Sequence, residues 1–360
     1  MSDLLLYRLY KVEAKKCNDR KVMLTGQLAG QSMEDFIYTQ MIELMTPVMR
    51  RASAFIKPED LQPITDEENL KGTPCFCVKD CRKIGNVLVA SITFGHYGDK
   101  DWLYDRFGEP ENISEKAASS LYEVRMAFPE PKQNEPDKNV CYMACTVNGR
   151  SAQGENLLQY ISYKYHLSIS QVSKDNPSET VATGEWYRFS ATPVIDRNRF
   201  DSVMASAKPQ KIELEMHSVS GFGSRESQKL TLTVSSVSAT WRIRVNKVLK
   251  KWIKAVQKKS SLSRLQGAQD VAALMPKDGL QLPKKMINNG GITYEENGKI
   301  KTVTAETVDQ LFIYPMSDGS TIEDLWKDAG NNLRLIAAAD DGKYDLPALN
   351  VDCNLSMTQV

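Results

Sequence analysis

Lysine and arginine are concentrated in one short segment of the chain. Residues 241–266 contain nine of these cations and no aspartate or glutamate, although the whole chain has 46 basic and 45 acidic residues. Cations without neighbouring counter-charges attract anions, and the attraction is felt over about 10 Å at 0.1 M salt. The chemistry that this segment offers is therefore the binding of a polyanion, with no reacting group of its own.

The apolar residues of the same segment predict an amphipathic helix. They recur at intervals of three and four, which places them on one helical face: Trp241, Val245, Val248, Leu249, Trp252, Ile253 and Val256. A helix lying on a membrane would turn its tryptophan and leucine side chains toward lipid. In a mixed fold of helices and strands, we expect this stripe to pack in the core instead. Residues 242–245 also alternate between basic and apolar side chains, which supports a second interpretation, that they form the end of a strand.

The lysines occupy the rest of the predicted helix surface. Like charges four residues apart, such as Lys250 and Lys254, repel by a few tenths of a kcal/mol, and a bound anion would remove that cost. We expect phosphate contacts from Arg242, Arg244, Lys247, Lys250, Lys251, Lys254, Lys258 and Lys259. The segment lacks a pattern of base-reading side chains, so the predicted binding is not sequence-specific and weakens with salt.

Other residue groups support weaker alternatives. The three thiols of Cys75, Cys77 and Cys81 are too few for a zinc site, and the first two share one face of a predicted strand, which favours the core. Carboxylates in "IELEMH" and "DDGKYD", represented by Glu213 and Asp341, would suit a metal-dependent nuclease that holds its substrate on the basic face. No nucleotide-binding loop or nucleophile motif is present, so we expect a protein without a cofactor or catalytic activity of its own.

A third alternative follows from the distribution of acids. Residues 302–360 hold ten acidic and three basic residues, an excess of seven negative charges. Such a segment can cover a basic face when DNA is absent, or the basic helix can serve as a protein-interaction module for an acidic partner.

The periodic segments predict an α+β fold. Strand patterns begin at residue 4, helix patterns follow Ser32 and occupy 154–165, a hairpin is expected within 291–308, and a terminal helix is interrupted at Gly330. We expect several domains with mostly antiparallel sheets and a central ferredoxin-like or similar α/β sandwich. The proline-rich, charged stretch 129–138 suggests a boundary, giving domains at 1–128, 139–265 and 266–360.

The remaining sequence features predict a cytoplasmic protein. The first residues lack the basic and apolar regions of a signal peptide, and no apolar run reaches about 18 residues. The chain has seven cysteines, an odd number that favours reduced thiols.

The order of several segments resembles that of known phage-related families. These segments are "YRLYKVEA", "CYMACTVNGRSAQGENLL", "YRFSATPVIDRNRFDSVMASAKPQKIELEM" and "GGITYEENGKIKTVTAET". The layout is similar to RexA-type phage-exclusion proteins and to the DNA-binding subunit of Kiwa-type antiphage systems. The resemblance implies a cytoplasmic, homodimeric DNA-binding protein in antiphage defence or phage exclusion, acting with a second defence protein. The likeness is one of layout, so it assigns no functional residues.

Overall fold

The computed structural model divides the chain into two compact units, residues 1–191 with 314–360 and residues 192–313. It describes residues 5–16, 26–64, 70–98, 102–104, 110–112, 116–131, 139–149, 151–195, 211–219, 225–233, 239–258, 263–274, 287–296, 299–339 and 344–352.

Strands dominate both units. In chain order they are β1 (Leu6–Lys16), β2 (Pro74–Ile84), β3 (Val87–Tyr97), β4 (Trp102–Tyr104), β5 (Pro110–Asn112), β6 (Ala117–Ala127), β7 (Glu130–Pro131), β8 (Val140–Thr146), β9 (Ser170–Val172), β10 (Thr180–Ala182), β11 (Tyr187–Val194), β12 (Lys211–Val219), β13 (Arg225–Thr233), β14 (Ile287–Glu296), β15 (Lys299–Thr304), β16 (Ile313–Pro315) and β17 (Tyr344–Asp345). The described α-helices are α1 (Met33–Glu43), α2 (Gly154–Ser168), α3 (Ala239–Gln257), α4 (Arg264–Ala272) and α5 (Ile322–Ala339). Short 3₁₀ helices occupy Pro58–Leu61 and Val308–Phe312.

The first unit is built on a seven-stranded sheet. Its strands lie in the order β11-β1-β8-β6-β3-β2, and β16 also pairs with β1. The ladders β1–β8, β8–β6, β6–β3 and β3–β2 are antiparallel. The α+β class and the mostly antiparallel pairing are therefore confirmed.

Helices cover both faces of this sheet, which explains why residues 7–10 of β1 are buried without interruption. Tyr10 and Val12 belong to the hydrophobic core that α1 and α2 complete. Tyr7 points to the other face, where its hydroxyl donates a 2.5 Å hydrogen bond to Asp328 of α5.

Local signals set the helix ends in this unit. Ser32 is the N-cap of α1, and its hydroxyl accepts a 3.1 Å hydrogen bond from the amide of Asp35. The predicted helix at 154–165 is confirmed as α2, with Leu157, Leu158 and Ile161 buried. Ser32 and the spacing of the leucines were sufficient signals because capping and helical periodicity depend only on near neighbours.

The predicted break at Gly330 is wrong, because α5 continues through this residue. A Cβ atom at position 330 would lie 3.2 Å from the backbone nitrogen of Leu349 and 3.4 Å from its Cβ. Glycine is needed here for close packing of the segment that follows the helix, and the helical backbone tolerates it.

Arg125 of β6 holds the segment that follows α5 in place. The guanidinium of Arg125 donates to the carbonyls of Leu349 (2.5 Å) and Val351 (3.3 Å), and pairs with Glu123 at 2.8 Å. It also lies 4.6 Å from the ring centre of Trp326, within the range of a cation–π contact. The part of the acidic C-terminal segment that belongs to this unit is therefore packed on its own sheet.

Replacing Tyr7 with phenylalanine is expected to cost about 1.5–3 kcal/mol of unfolding free energy at pH 7, since Asp328 loses a hydrogen bond. Burial, followed by the hydrogen bond to Asp328, raises the pKa of Tyr7 above its ordinary value. The folded state therefore favours the protonated phenol, so this contribution is complete below about pH 10 and is lost as pH rises further. Denaturant titrations from pH 7 to 11 should show a steeper alkaline loss in the wild type than in Tyr7→Phe; parallel profiles would contradict this.

The second unit contains a four-stranded sheet in the order β13-β12-β14-β15, with antiparallel ladders throughout. Its hydrophobic core contains residues of α3, α4, β14, β15 and the 3₁₀ helix Val308–Phe312. The hairpin predicted within 291–308 is confirmed as β14 and β15. A Cβ atom on Gly267 of α4 would come within 2.4 Å of the Cβ of Ala305, so a glycine permits this helix to approach closely.

The observed division differs from the predicted domains at 1–128, 139–265 and 266–360. The expected boundary at 129–138 falls between β6 and β8, which are neighbours in one sheet. Residues on either side of it are fixed by strand pairing, including the short ladder of β7 with β17. The segments expected to form one ferredoxin-like sandwich are instead shared, with β8 and β11 in the first unit's sheet and β12 and β13 in the second's. The predicted helix at 196–207 lies among residues that the structure does not describe.

Among the described helices, none is both long enough and apolar enough to span a bilayer.

Candidate nucleic-acid interface

The basic segment folds as the helix α3, which begins at Ala239. Residues 242–245 are therefore helical, and the alternative of a strand end is wrong. Four of the seven residues of the predicted apolar stripe are confirmed as core, since Val245, Leu249, Trp252 and Ile253 are at most 6 % exposed. Val248 and Val256 are partly buried against this core, and the side chain of Trp241 is not among those described. Burial of this face fixes the rotation of the helix about its own axis and so decides which residues face outward.

A three-residue contact fixes α3 against α4. The indole nitrogen of Trp252 donates a 3.0 Å hydrogen bond to a carboxylate oxygen of Asp270. The same carboxylate accepts from the ammonium of Lys251 at 2.7 and 2.9 Å. Lys251 therefore balances the charge of Asp270 beside a buried tryptophan, and its first role is to hold two helices together.

Arg244 also has a partner within the unit. Its guanidinium donates a 2.5 Å hydrogen bond to the carbonyl of Ala273. This carbonyl is at the C-terminal end of α4, where unpaired carbonyl groups carry partial negative charge and favour a cation. Arg244 is nevertheless exposed.

Four lysines form the exposed face of α3. Lys247, Lys250, Lys254 and Lys258 are all exposed, and at about 100° per residue they fall within roughly 80° of arc, opposite the buried stripe. From the first to the last the helix rises about 16 Å. We call these four residues the lysine face.

The lysine face has no acidic residue within its own helix, since residues 239–258 contain neither aspartate nor glutamate. Among the residues that the structure describes, Lys247, Lys254 and Lys258 make no side-chain ion pair. A shallow groove of about 620 Å³ runs along this surface, and its described lining consists of Ile243, Asn246, Lys247, Lys250, Lys251 and Lys254. Its walls are lysine stems and one isoleucine, so charge lies at the rim and hydrocarbon below it.

Two of the eight predicted contact residues have no described side chain. Arg242 lies in the first turns of α3, where only the backbone is described, and Lys259 follows the last described residue of that segment. The remaining six lie along α3 as expected, and the pairing of Lys251 with Asp270 is what the sequence did not reveal. The signal for it is weak, because Asp270 lies on another helix and 19 positions away.

The alternative sites are placed by the same description. Cys75 and Cys77 are buried in β2, and burial raises the pKa of both thiols. Glu213 lies in β12, of which only the backbone is described, and Asp341 falls in the gap between 339 and 344. Within the described parts of the chain, no three histidine, cysteine or acidic side chains are grouped to hold a metal.

Comparison with protein-family models, with curated proteins and with solved structures finds no match for this chain. The resemblance to RexA-type and Kiwa-type proteins therefore remains a prediction from segment order. The lysine face of α3 is the feature of the structure that bears on function.

Proposed function

We propose that the protein binds DNA through its phosphate backbone, without sequence specificity, and that the lysine face of α3 carries the contact. The observation that supports this most is the alignment of Lys247, Lys250, Lys254 and Lys258 opposite a buried stripe, without an acid on the helix. A helix that only packed against its neighbours would gain from mixed charges on its outer face. Lys247, Lys254 and Lys258, which make no ion pair with the described residues, are accounted for if phosphates neutralise them.

The spacing of the lysine face suits a polyanion. One DNA strand carries a phosphate every 3.4 Å along the axis, so a helix face of about 16 Å spans roughly five of them. Lysine is a point charge on a flexible stem and fixes no base-edge geometry, which is why we expect affinity without base discrimination.

A membrane surface is a less suitable partner. Binding to lipid requires an apolar face that can enter the bilayer. Among the described side chains of α3, Ile243 is the one large apolar residue that is more than a third exposed, at 68 %. One isoleucine supplies too little apolar area for stable insertion, whereas it can cover the sugar edge of a strand between phosphates.

A role in antiphage defence or phage exclusion, with a homodimer and a second defence protein as partners, is proposed from the resemblance in segment layout alone. The DNA-binding proposal does not depend on it.

A salt titration of DNA binding tests the proposed function directly. If the four residues of the lysine face each neutralise one phosphate, the plot of log K against log salt should have a slope of about −3.6 on duplex DNA, and affinity should fall about 10²-fold between 50 and 200 mM salt. Three duplexes of unrelated sequence should bind within about threefold of one another. Fluorescence anisotropy with labelled 20-base-pair duplexes gives both quantities, and lack of binding at 50 mM salt would refute the proposal.

A further inference from the structure

A second concave surface lies in the first unit, at the edge of the seven-stranded sheet. It is a cleft of about 1140 Å³ beside the start of β2 and the end of β3. Two of its walls are the segment 49–52 and the turn 71–74, and residues of α2 complete its lining. Its residues come from segments far apart in the chain, and no motif of the sequence marks it.

Backbone contacts hold both walls in place. The amide and carbonyl of Val48 pair with those of Phe76 at 2.8 and 3.0 Å, which attaches the first wall to the edge strand. The hydroxyl of Tyr160 donates a 2.9 Å hydrogen bond to the carbonyl of Arg50. On the other wall, Gly72 has a φ of +74° and its amide donates to the carbonyl of Tyr97 at 2.7 Å. The cleft is thus formed by fixed backbone before any ligand is present.

The acids at the cleft are already paired. Asp60 accepts from the guanidinium of Arg50 at 3.3 Å, and Glu59 lies 3.6 Å from the ammonium of Lys57. Arg50 is further occupied by the carbonyl of Glu59 at 3.2 Å. These contacts order the 3₁₀ helix Pro58–Leu61 and leave no net negative charge on that side.

Two other cations are exposed at the cleft. Arg51 belongs to the first wall and Lys71 to the other, and across the described residues neither forms a hydrogen bond or an ion pair through its side chain. Burial raises the pKa of Tyr160 to about 12, while the charge of Arg51 acts to lower it. A cleft lined by two cations that have no paired acid favours an anion.

The floor of the cleft offers flat aromatic surface. Phe94 and His96 alternate on one face of β3, and their rings meet edge to face at 5.5 Å. Tyr160 stacks on Phe76 at 4.4 Å and forms a rigid base. The side-chain amide of Gln159, exposed on α2, lies at the same cleft. Aromatic faces beside amide donors and acceptors suit a planar heterocycle, as in the stacking of nucleobases on protein rings.

We propose that this cleft binds a nucleotide, with its phosphate between Arg51 and Lys71 and its base against Phe94 and His96. The volume exceeds that of a typical small-molecule pocket, which is about 300–1,000 Å³. The cleft therefore has room for a free nucleotide or for the terminal nucleotide of a single strand. The two sources present the same phosphate and base. This inference stands apart from the lysine face, which lies in the other unit.

Titrations with four probes test the proposal: inorganic phosphate, AMP, ATP and a 5′-phosphorylated trinucleotide, each measured by isothermal calorimetry on the full chain. We expect AMP to bind at least about tenfold more tightly than inorganic phosphate, because only AMP has a base. The ratio of ATP to trinucleotide affinity identifies the source of the ligand. Absence of AMP and trinucleotide binding at about 1 mM would overturn the proposal, as would equal affinity for AMP and phosphate.

Substitutions at the cleft separate its two parts. Arg51→Gln with Lys71→Gln should weaken AMP binding at least about tenfold, since two charge-assisted contacts are lost. Phe94→Leu should weaken AMP binding and leave phosphate binding unchanged. Lys79→Gln, an exposed lysine of β2 outside the cleft, is the matched control and should have no effect. Unchanged AMP affinity in the folded double variant would overturn the assignment.

The same variants keep this proposal distinct from duplex DNA binding. The Arg51 and Lys71 double variant should retain the wild-type affinity for duplex DNA, and substitutions on the lysine face should retain the wild-type affinity for AMP. If nucleotide binding fails while duplex binding persists, only the cleft proposal is lost; the opposite result removes only the proposed function.

Discussion

Replacing Lys247, Lys250 and Lys254 together with glutamate is expected to weaken duplex DNA binding by more than about 500-fold at 0.1 M salt. Each phosphate contact contributes a salt exponent of about 0.9, which corresponds to roughly eightfold in affinity between 1 M and 0.1 M salt. Three lost contacts therefore remove about 500-fold before any repulsion is added. The slope of log K against log salt should fall from about −3.6 to about −0.9, because one lysine of the face remains.

The control for this experiment has the same change in charge on another surface. Lys79, Lys174 and Lys327 are exposed and lie in the first unit, so glutamate at all three alters the net charge by the same amount. This control should lose far less affinity than the lysine-face variant and keep most of the salt slope. Equal losses in both variants would show that net charge alone determines binding, and would contradict a localised site.

Lysine-to-glutamine versions give an intermediate point. They remove charge without introducing repulsion, so we expect a loss close to the 500-fold calculated for three contacts. Far-ultraviolet circular dichroism of each variant should match the wild type, since the substituted side chains are exposed and outside the core of the second unit.

Trp252→Ala is expected to reduce the unfolding free energy of the second unit by about 3–5 kcal/mol, the usual range for truncating a buried aromatic side chain. Trp252 is 0 % exposed and lies in the core of that unit. Its removal also takes the indole donor from Asp270, although Lys251 continues to pair with that carboxylate. Urea unfolding followed by far-ultraviolet circular dichroism measures the loss without relying on tryptophan fluorescence.

Two companion variants make this result specific. Trp252→Phe keeps part of the packing but not the N–H donor, so we expect a loss of about 1–3 kcal/mol in total, smaller than that of Trp252→Ala. Ile243→Ala, on the exposed side of the same helix, should change the free energy by less than about 0.5 kcal/mol. A loss below about 1 kcal/mol in Trp252→Ala would contradict the burial of the stripe.

The features that were predicted correctly from the sequence are set by residues that are close together in the chain. The amphipathic helix, the cap at Ser32 and the hairpin of β14 and β15 all follow from periodicity or from short motifs. Such signals survive in any tertiary context because the groups involved are a few positions apart.

The errors concern residues that meet over long sequence distances. Prolines at 129–138 suggested a domain boundary, but no local signal indicates that the strands on either side are sheet neighbours. The pairing of Lys251 with Asp270 depends on how two helices cross, and the charge pattern of one helix does not contain it. The cleft is likewise invisible in the sequence, since Arg51, Lys71 and Phe94 become neighbours only through the sheet edge.

The pairing of both β11 and β16 with β1 also determines when the first unit can be completed during synthesis. The chain leaves that unit after residue 191 and returns at 314. Because synthesis proceeds from the N-terminus, the ribosome makes all of the second unit before α5 and its anchor for Arg125 exist. The sheet face that packs against Trp326 therefore stays uncovered while about 120 intervening residues are translated. A translational pause within those residues would lengthen the exposure of that face to chaperones and proteases.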